Sequence, residues 1–334
     1  MPTRRRFVSI VAVCAAMAPL SAARPAADPL VSVWQGNALG ALASLTLVHP
    51  DRARAQTLIR ECVDEIARLE AILSLYRRDS ALSRLNAGGE LRDPPHELVE
   101  LLSFGLLLSQ RSAGAFDPTI QPLYRLYADH FAAPGAAATG PSSMAIERAL
   151  RAVDFTAVEL AADRIQLRRP GMAITLNGVA QGFITDRVAA HLKTAGFDDV
   201  LIDLGEARAW GHRPGGGAWR AGLADPRQPT RTMLELPLGE DVGALPALAT
   251  SAGYGTRFGP DAHIHHLLDP HTGRSANHFL SVSVAAPSAT LADGLSTTLS
   301  VLTPALGAAL LESQPAARAY VVNAAGQVQV LGVA

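Results

Sequence analysis

The chain's fold is written most plainly in His263-Ala-His265-His266-Leu267-Leu268-Asp269-Pro270-His271-Thr272-Gly273 and, shortly after, Ala292-Asp293-Gly294-Leu295-Ser296-Thr297. The first stretch gathers imidazoles, a carboxylate and a hydroxyl around a Pro/Gly turn. The second sets a carboxylate and a hydroxyl four residues apart. If 291–302 is a helix, those two oxygens lie one turn apart on one face. Hard oxygen donors so arranged suit Mg²⁺ beside a phosphate.

The chain has 334 residues, enough to bury a sizeable core. Apolar residues make up 49% and charged residues 18%, which excludes a disordered chain. The formal net charge is −1, with no basic stripe, so nucleic acid is not an expected partner. Aromatic residues at 5% leave little for base-stacking platforms.

Thr3-Arg4-Arg5-Arg6-Phe7-Val8 places a twin arginine before an apolar run to about Leu20, and small residues follow at 21–27. This reads as a Tat-type signal peptide over 1–27, exported to a periplasm, with one domain over 28–334. The run is shorter than the roughly 20 residues of a spanning helix, so no membrane span is expected after cleavage. Cys14 lies too close to the arginines for a lipoprotein signal. Cys62 then has no partner, and its apolar neighbours at helical spacing make it a buried, inert thiol.

Residues 42–48 alternate as a strand, 52–73 read as an amphipathic helix and 96–112 as a more buried one. Between the helices, 74–86 reads as a polar connector, and 132–143 as a loop. A hairpin is expected at 158–160 and 164–167, and a helix over 182–195 with Gly196 as its stop. Strands are expected at 200–204, 219–223 and 281–286, helices at 291–302 and 304–313, and a closing hairpin at 320–322 and 327–331. Helices and strands do not alternate strictly, which points to α+β.

Arg213-Pro-Gly-Gly-Gly217 lacks the Lys-Ser/Thr of a phosphate loop and reads as a turn. His263, His265, His266, His271 and His278 invite a copper or zinc reading, but they straddle a turn rather than a rigid element. One or two functional imidazoles fit better. Asp117 alone reads as a cap or turn after a helix, Asp293 as a first-turn acid favoured by the helix dipole, and Thr297 as a hydroxyl bonded back to a carbonyl.

In order along the chain, six segments resemble the ApbE family of FAD:protein FMN transferases. They are 75–86, Gly114–Thr119, Thr175–Gly182, Ala249–Ser251, His265–Gly273 and Ala292–Thr297. The resemblance spans nearly everything from Gly36 onward. It implies a single α+β unit with mixed or antiparallel sheets flanked by helices and an FAD cleft between two lobes. It implies Mg²⁺-dependent transfer of FMN from FAD to a Thr or Ser hydroxyl of a target flavoprotein, with AMP released. Such transfer depends on positioning and charge neutralisation. By position, Asp293, Thr297 and the backbone carbonyl of Gly178 match the metal ligands. Leu39, Tyr76, Ala115, Phe116, Asp117, Thr175, Gln181 and Leu267 match cofactor contacts, and His266 matches a group for charge neutralisation or proton transfer.

The chain departs from the family's Asp-Leu-Gly-Gly-Ile-Ala-Lys-Gly pattern: Thr175 stands for the Asp and Gln181 for the Lys. Asp203-Leu-Gly205-Glu206-Ala207 also alters the usual Gly-Gly-Asp. These versions resemble the NosX-type branch, whose implied acceptor is a membrane flavoprotein of the NosR type. The missing Lys and Asp keep open an FAD carrier or maturation factor without transfer, and the same implied metal site would also serve an FAD pyrophosphatase that uses water in place of the acceptor hydroxyl.

Overall fold

Strands whose alternate residues enter two different cores organise this molecule, in a computed structural model that describes residues 30–240 and 244–332. The expected signal peptide, 1–27, and Cys14 lie outside the described residues. In β6 (Asp199–Asp203), Val200 and Ile202 enter the main core while Leu201 enters a second one. In β11 (Ser281–Ala286), Val282 and Val284 enter the first and Ala285 the second. Both faces of the sheet are covered, so these strands read as apolar runs.

The sheet has eight strands in the order β1 (Val31–Ala38), β2 (Ala41–Val48), β6, β7 (Ala207–Trp210), β10 (Ala247–Ala252), β11, β12 (Arg318–Val322) and β13 (Val328–Leu331). Every named pair is antiparallel. On one face pack α1 (Arg52–Leu73), α6 (Ala180–Thr194) and α7 (Ala289–Val301). The other face is covered by the ribbon β8 (Trp219–Asp225) and β9 (Gln228–Leu238). A small sheet, β3 (Glu90–Arg92), β5 (Arg164–Leu167) and β4 (Val158–Leu160), lies apart. A third cluster centres on Leu123, Tyr127, Ile146 and Leu268, where α4 (Gln121–Ala132) meets α5 (Ser143–Leu150).

The α+β expectation holds, as do α1, the 158–167 hairpin and α8 (Pro304–Glu312). Gly196 ends α6 in the left-handed region, as expected. The expected connector at 74–86 contains a helix, α2 (Ala81–Gly88). It is short, buries only Ala81, Leu82 and Leu85, and is held by the Ser80 hydroxyl on the Ser83 N–H and by Gly89 in the left-handed region. Strands β1, β7, β9 and β10 and helices α4 and α5 are not among the expected elements. The ribbon strand β9 exposes most of its residues, so apolar periodicity is faint there.

Two contacts fix how α7 sits on α6. Asp186 of α6 accepts from the Ala289 and Thr290 N–H groups, each at 2.9 Å, and pairs with Arg208. A carboxylate at a helix N-terminus satisfies otherwise orphaned donors. Gly182 provides the second contact, since a Cβ there would overlap the Ala289 carbonyl. The close crossing brings Asp293 and Thr297 over the start of α6.

Candidate active site

Between the main core and the α4–α5 cluster opens a cavity of about 1450 Å³, its mouth included. All the residues singled out by the family resemblance line it: Leu39, Tyr76, Ala115, Phe116, Asp117, Thr175, Gly178, Gln181, His266, Leu267, Asp293 and Thr297.

Each reaches the cavity from a different local device. Leu39 and Gly40 form the two-residue turn between β1 and β2, with φ of 48° and 83°. Positive φ at both positions is what such a hairpin turn demands. The Leu39 N–H is donated to Glu70 Oε1 at 2.5 Å, which holds a leucine in a conformation it rarely adopts. Tyr76 stands at the mouth, 54% exposed. Ala115, Phe116 and Asp117 leave α3 (His96–Arg111) through Ala113 and Gly114, both at positive φ. Asp117 borders the cavity but its carboxylate is bonded elsewhere: Oδ1 accepts from the Thr119 N–H and hydroxyl at 2.7 and 2.6 Å, and Oδ2 from the Phe155 N–H at 3.2 Å. Its side chain is the cap of the turn, and burial raises its pKa.

His266 sits on the strap 256–270. Its Nδ1 lies 3.2 Å from the Thr256 carbonyl oxygen, which can only accept. The proton therefore resides on Nδ1, and Nε2 keeps its lone pair. Burial, then neighbouring His265, lowers its pKa to about 4, so the ring is neutral at physiological pH. His265 turns away from the cavity. It is 3% exposed, and its Nε2 donates to Asn277 Oδ1 at 3.2 Å. His271 bonds to Asp269 and to the Ala113 carbonyl and does not line the cavity either. Among the described residues, no group of three or more His, Cys, Asp or Glu is arranged to hold a metal.

The opposite wall carries the oxygen donors. Asp293 is 3% exposed, and its Oδ2 accepts the Gly182 N–H at 3.0 Å. Burial pushes its pKa up to about 7. Thr297 faces Gly178, where a Cβ would come within 3.0 Å of the hydroxyl oxygen and 3.3 Å of the Phe116 ring. A bare glycine thus leaves a cradle beside that hydroxyl. Sequence patterns give no role to Glu206, which also lines the cavity and accepts the Thr250 N–H at 3.3 Å. Burial, then Asp293 and Asp203, raises its pKa well above the usual carboxylate range. Asp203 is raised to about 6 by burial. The only signal for Glu206 in the sequence is the altered motif at 203–207.

Among the described residues no Lys or Arg lines the cavity, although Asp117, Glu206 and Asp293 do. Gln181, where the family pattern has a Lys, lies over Gly205 and donates to the Leu204 carbonyl at 3.4 Å. A buried carboxylate without a cationic neighbour is a costly arrangement unless a cation joins it. Asp293, Thr297 and Gly178 line this wall together, and their carboxylate, hydroxyl and backbone carbonyl are hard-oxygen donors of the kind Mg²⁺ takes.

The buried groups set the pH dependence of stability. Asp293 holds a proton in the folded chain that the unfolded chain releases near pH 4, so its stabilisation is present in acid and lost as pH rises through about 7, and Glu206, raised well above the usual carboxylate range, acts in the same direction. His266 and His265 work oppositely: their stabilisation is present above the ordinary histidine range and lost as pH falls. Between pH ~6.5 and ~8 the His265 and His266 contribution levels off and the raised carboxylates set the slope. The melting temperature of the cation-free protein is therefore expected to fall over that interval, at roughly 2–4 °C per kcal/mol. Saturating Mg²⁺ flattens the slope. A flat or rising profile without the cation, read by scanning calorimetry, contradicts the assignment of Asp293 and Glu206 as uncompensated.

The ApbE family model matches residues 39–332. An FAD:protein FMN transferase of Treponema pallidum is 31% identical over 289 residues, covering 79% of this chain and 76% of that protein. One of Klebsiella pneumoniae is 26% identical over 307 residues, covering 89% and 86%. Among solved structures, the apo form of the flavinyl transferase ApbE of Pseudomonas stutzeri superposes with a TM-score of 0.74 at 29% identity, covering 90% of this chain and 95% of that one. The flavin transferase ApbE of Vibrio cholerae shares the fold, with a TM-score of 0.75 at 24% identity over 90% and 97%.

Proposed function

The chain belongs to the ApbE family, and on that premise we propose that it transfers FMN from FAD to a target protein, releasing AMP. Relatives that match most of this chain bear that activity in their names. The observation that carries the reading is the cavity's lining: the buried Asp293, the hydroxyl residue Thr297 and the bare Gly178 border it together, and among the described residues no Lys or Arg does. A diphosphate entering such a cavity needs a cation, and we assign Mg²⁺ to Asp293, Thr297 and the Gly178 carbonyl. When bound, it neutralises the diphosphate and supplies Lewis acidity.

The chain's own residues do the rest. His266 Nε2 takes the proton from a Thr or Ser hydroxyl of the acceptor. The acceptor oxygen bonds to the FMN-side phosphorus, the phosphoanhydride P–O bond breaks, and AMP leaves with the electron pair. Tyr76, Phe116 and Leu267 offer flat or apolar surface for the ligand's rings. Leu39, Ala115 and Thr175 line the same path through their turns, and the Gln181 amide offers a hydrogen bond without charge.

The twin-arginine segment supports export to a periplasm. Among the described residues no helix is long and apolar enough to cross a membrane. The NosX-like motif versions favour a NosR-type membrane flavoprotein as acceptor.

Thr175 and Gln181 favour a second reading, an FAD carrier without transfer. AMP release from FAD and Mg²⁺, measured with and without an acceptor domain, separates the alternatives. Transfer gives AMP that depends on acceptor. A pyrophosphatase gives equal AMP without it, and a carrier gives none; either result overturns the proposal.

A further inference from the structure

Thr297 ends a chain of hydroxyls whose protons can be traced. The Ser296 hydroxyl donates to the Asp293 carbonyl oxygen at 3.0 Å. Ser251 Oγ lies 2.8 Å from Ser296 Oγ and 3.3 Å from Thr297 Oγ1. A hydroxyl has one proton to give. With Ser296's proton on the Asp293 carbonyl, Ser251 donates to Ser296. Ser251's proton is then spent, so Thr297 donates to Ser251. Both lone pairs of Thr297 are left open, with Gly178 lacking a side chain beside them. Run in reverse, the chain would aim the Thr297 proton into the cavity, against a cation.

We infer that Ser251, backed by Ser296, is a positioning residue for the cation: it accepts the Thr297 proton and so presents that hydroxyl's lone pairs to the metal. Ser251 comes from β10 and Ser296 and Thr297 from α7, so the relay also ties the metal-bearing helix to the sheet. Ser296 is fully buried and does not line the cavity, so it acts on the site only through the groups it bonds, Ser251 and the Asp293 carbonyl. The inference rests on the Mg²⁺ assignment above. Partners that orient a metal ligand typically change metal affinity 10–100-fold when removed.

The test is calorimetric titration of Mg²⁺ into FAD-loaded protein, with melting temperature recorded on the cation-free form. Ser251→Ala is expected to raise the Mg²⁺ Kd roughly 10–100-fold, and Ser296→Ala to raise it in the same direction by less. The double variant Ser251→Ala/Thr297→Ala should bind no more weakly than Thr297→Ala alone, because the two side chains act as one unit. A merely structural role lowers the melting temperature and leaves the Kd in place. A Kd for Ser251→Ala within twofold of wild type, or additive losses in the double variant, overturns the proposal. Ser296→Ala carries the same test should Ser251→Ala fail to fold. Wild type that binds no Mg²⁺ overturns the underlying assignment and the relay together. Wild type that binds, with Asp293→Asn that does not, upholds the assignment, and an unchanged Kd in the serine variants then overturns the relay alone.

Discussion

Asp293→Asn is expected to lower FMN transfer about a thousandfold, equivalent to ~4 kcal/mol of barrier, without unfolding the protein. Asn can still accept the Gly182 N–H, which Asp293 accepts at 3.0 Å, so the crossing of α6 and α7 keeps its contact. What is lost is the charge. The carboxylate is buried and raised to about 7, so above neutrality the substitution removes an uncompensated negative group. The cation-free melting temperature at pH ~8 should therefore be no lower than wild type, while the gain on adding Mg²⁺ disappears. Transfer rate and melting temperature, each with and without Mg²⁺, check both halves. Wild-type transfer by the variant removes Asp293 from the metal site.

His266→Ala is expected to lower kcat about 10²–10⁴-fold and to leave the Kd for FAD within a few-fold. The ring's Nδ1 proton is committed to the Thr256 carbonyl, so the lost function is the Nε2 lone pair. Its pKa, lowered to about 4, has a consequence for rate. Wild-type kcat should hold steady as pH falls from ~7.5 to ~5.5 at saturating Mg²⁺, because the base stays unprotonated there. A pH–rate profile with a full limb at ordinary histidine pKa contradicts the tautomer and burial described. An unchanged kcat in the variant removes His266 from the proton transfer.

The residues of the cavity are legible in the sequence through short motifs that resemble the family's, several of them tied to turns. Ala113-Gly114, Leu39-Gly40 and the Pro270–Gly273 turn each need particular residues to make a local bend, and that need leaves a mark in sequence. Asp293 and Thr297 are legible by helical spacing. Much of the remainder is hidden in long-range contacts. Glu206 looks like a motif departure, yet its burial depends on β6, β7 and β10 meeting. Ser251 and Ser296 read as ordinary small polar residues, and their bond joins positions 45 residues apart. The histidine-rich segment misleads in the opposite way. His265 and His266 are adjacent, but backbone direction sends one ring to Asn277 and the other to the cavity. Similarly, α2 buries one narrow stripe over eight residues, too short for periodicity to separate from a polar loop.

The most direct measurement is intact-mass analysis of an acceptor domain incubated with the protein, FAD and Mg²⁺. The acceptor is expected to gain the mass of one FMN less one water, on a Thr or Ser located by peptide mapping. That gain should be lost with chelator or with Asp293→Asn. An acceptor that stays unmodified while the protein binds both FAD and Mg²⁺ contradicts transfer by this chain.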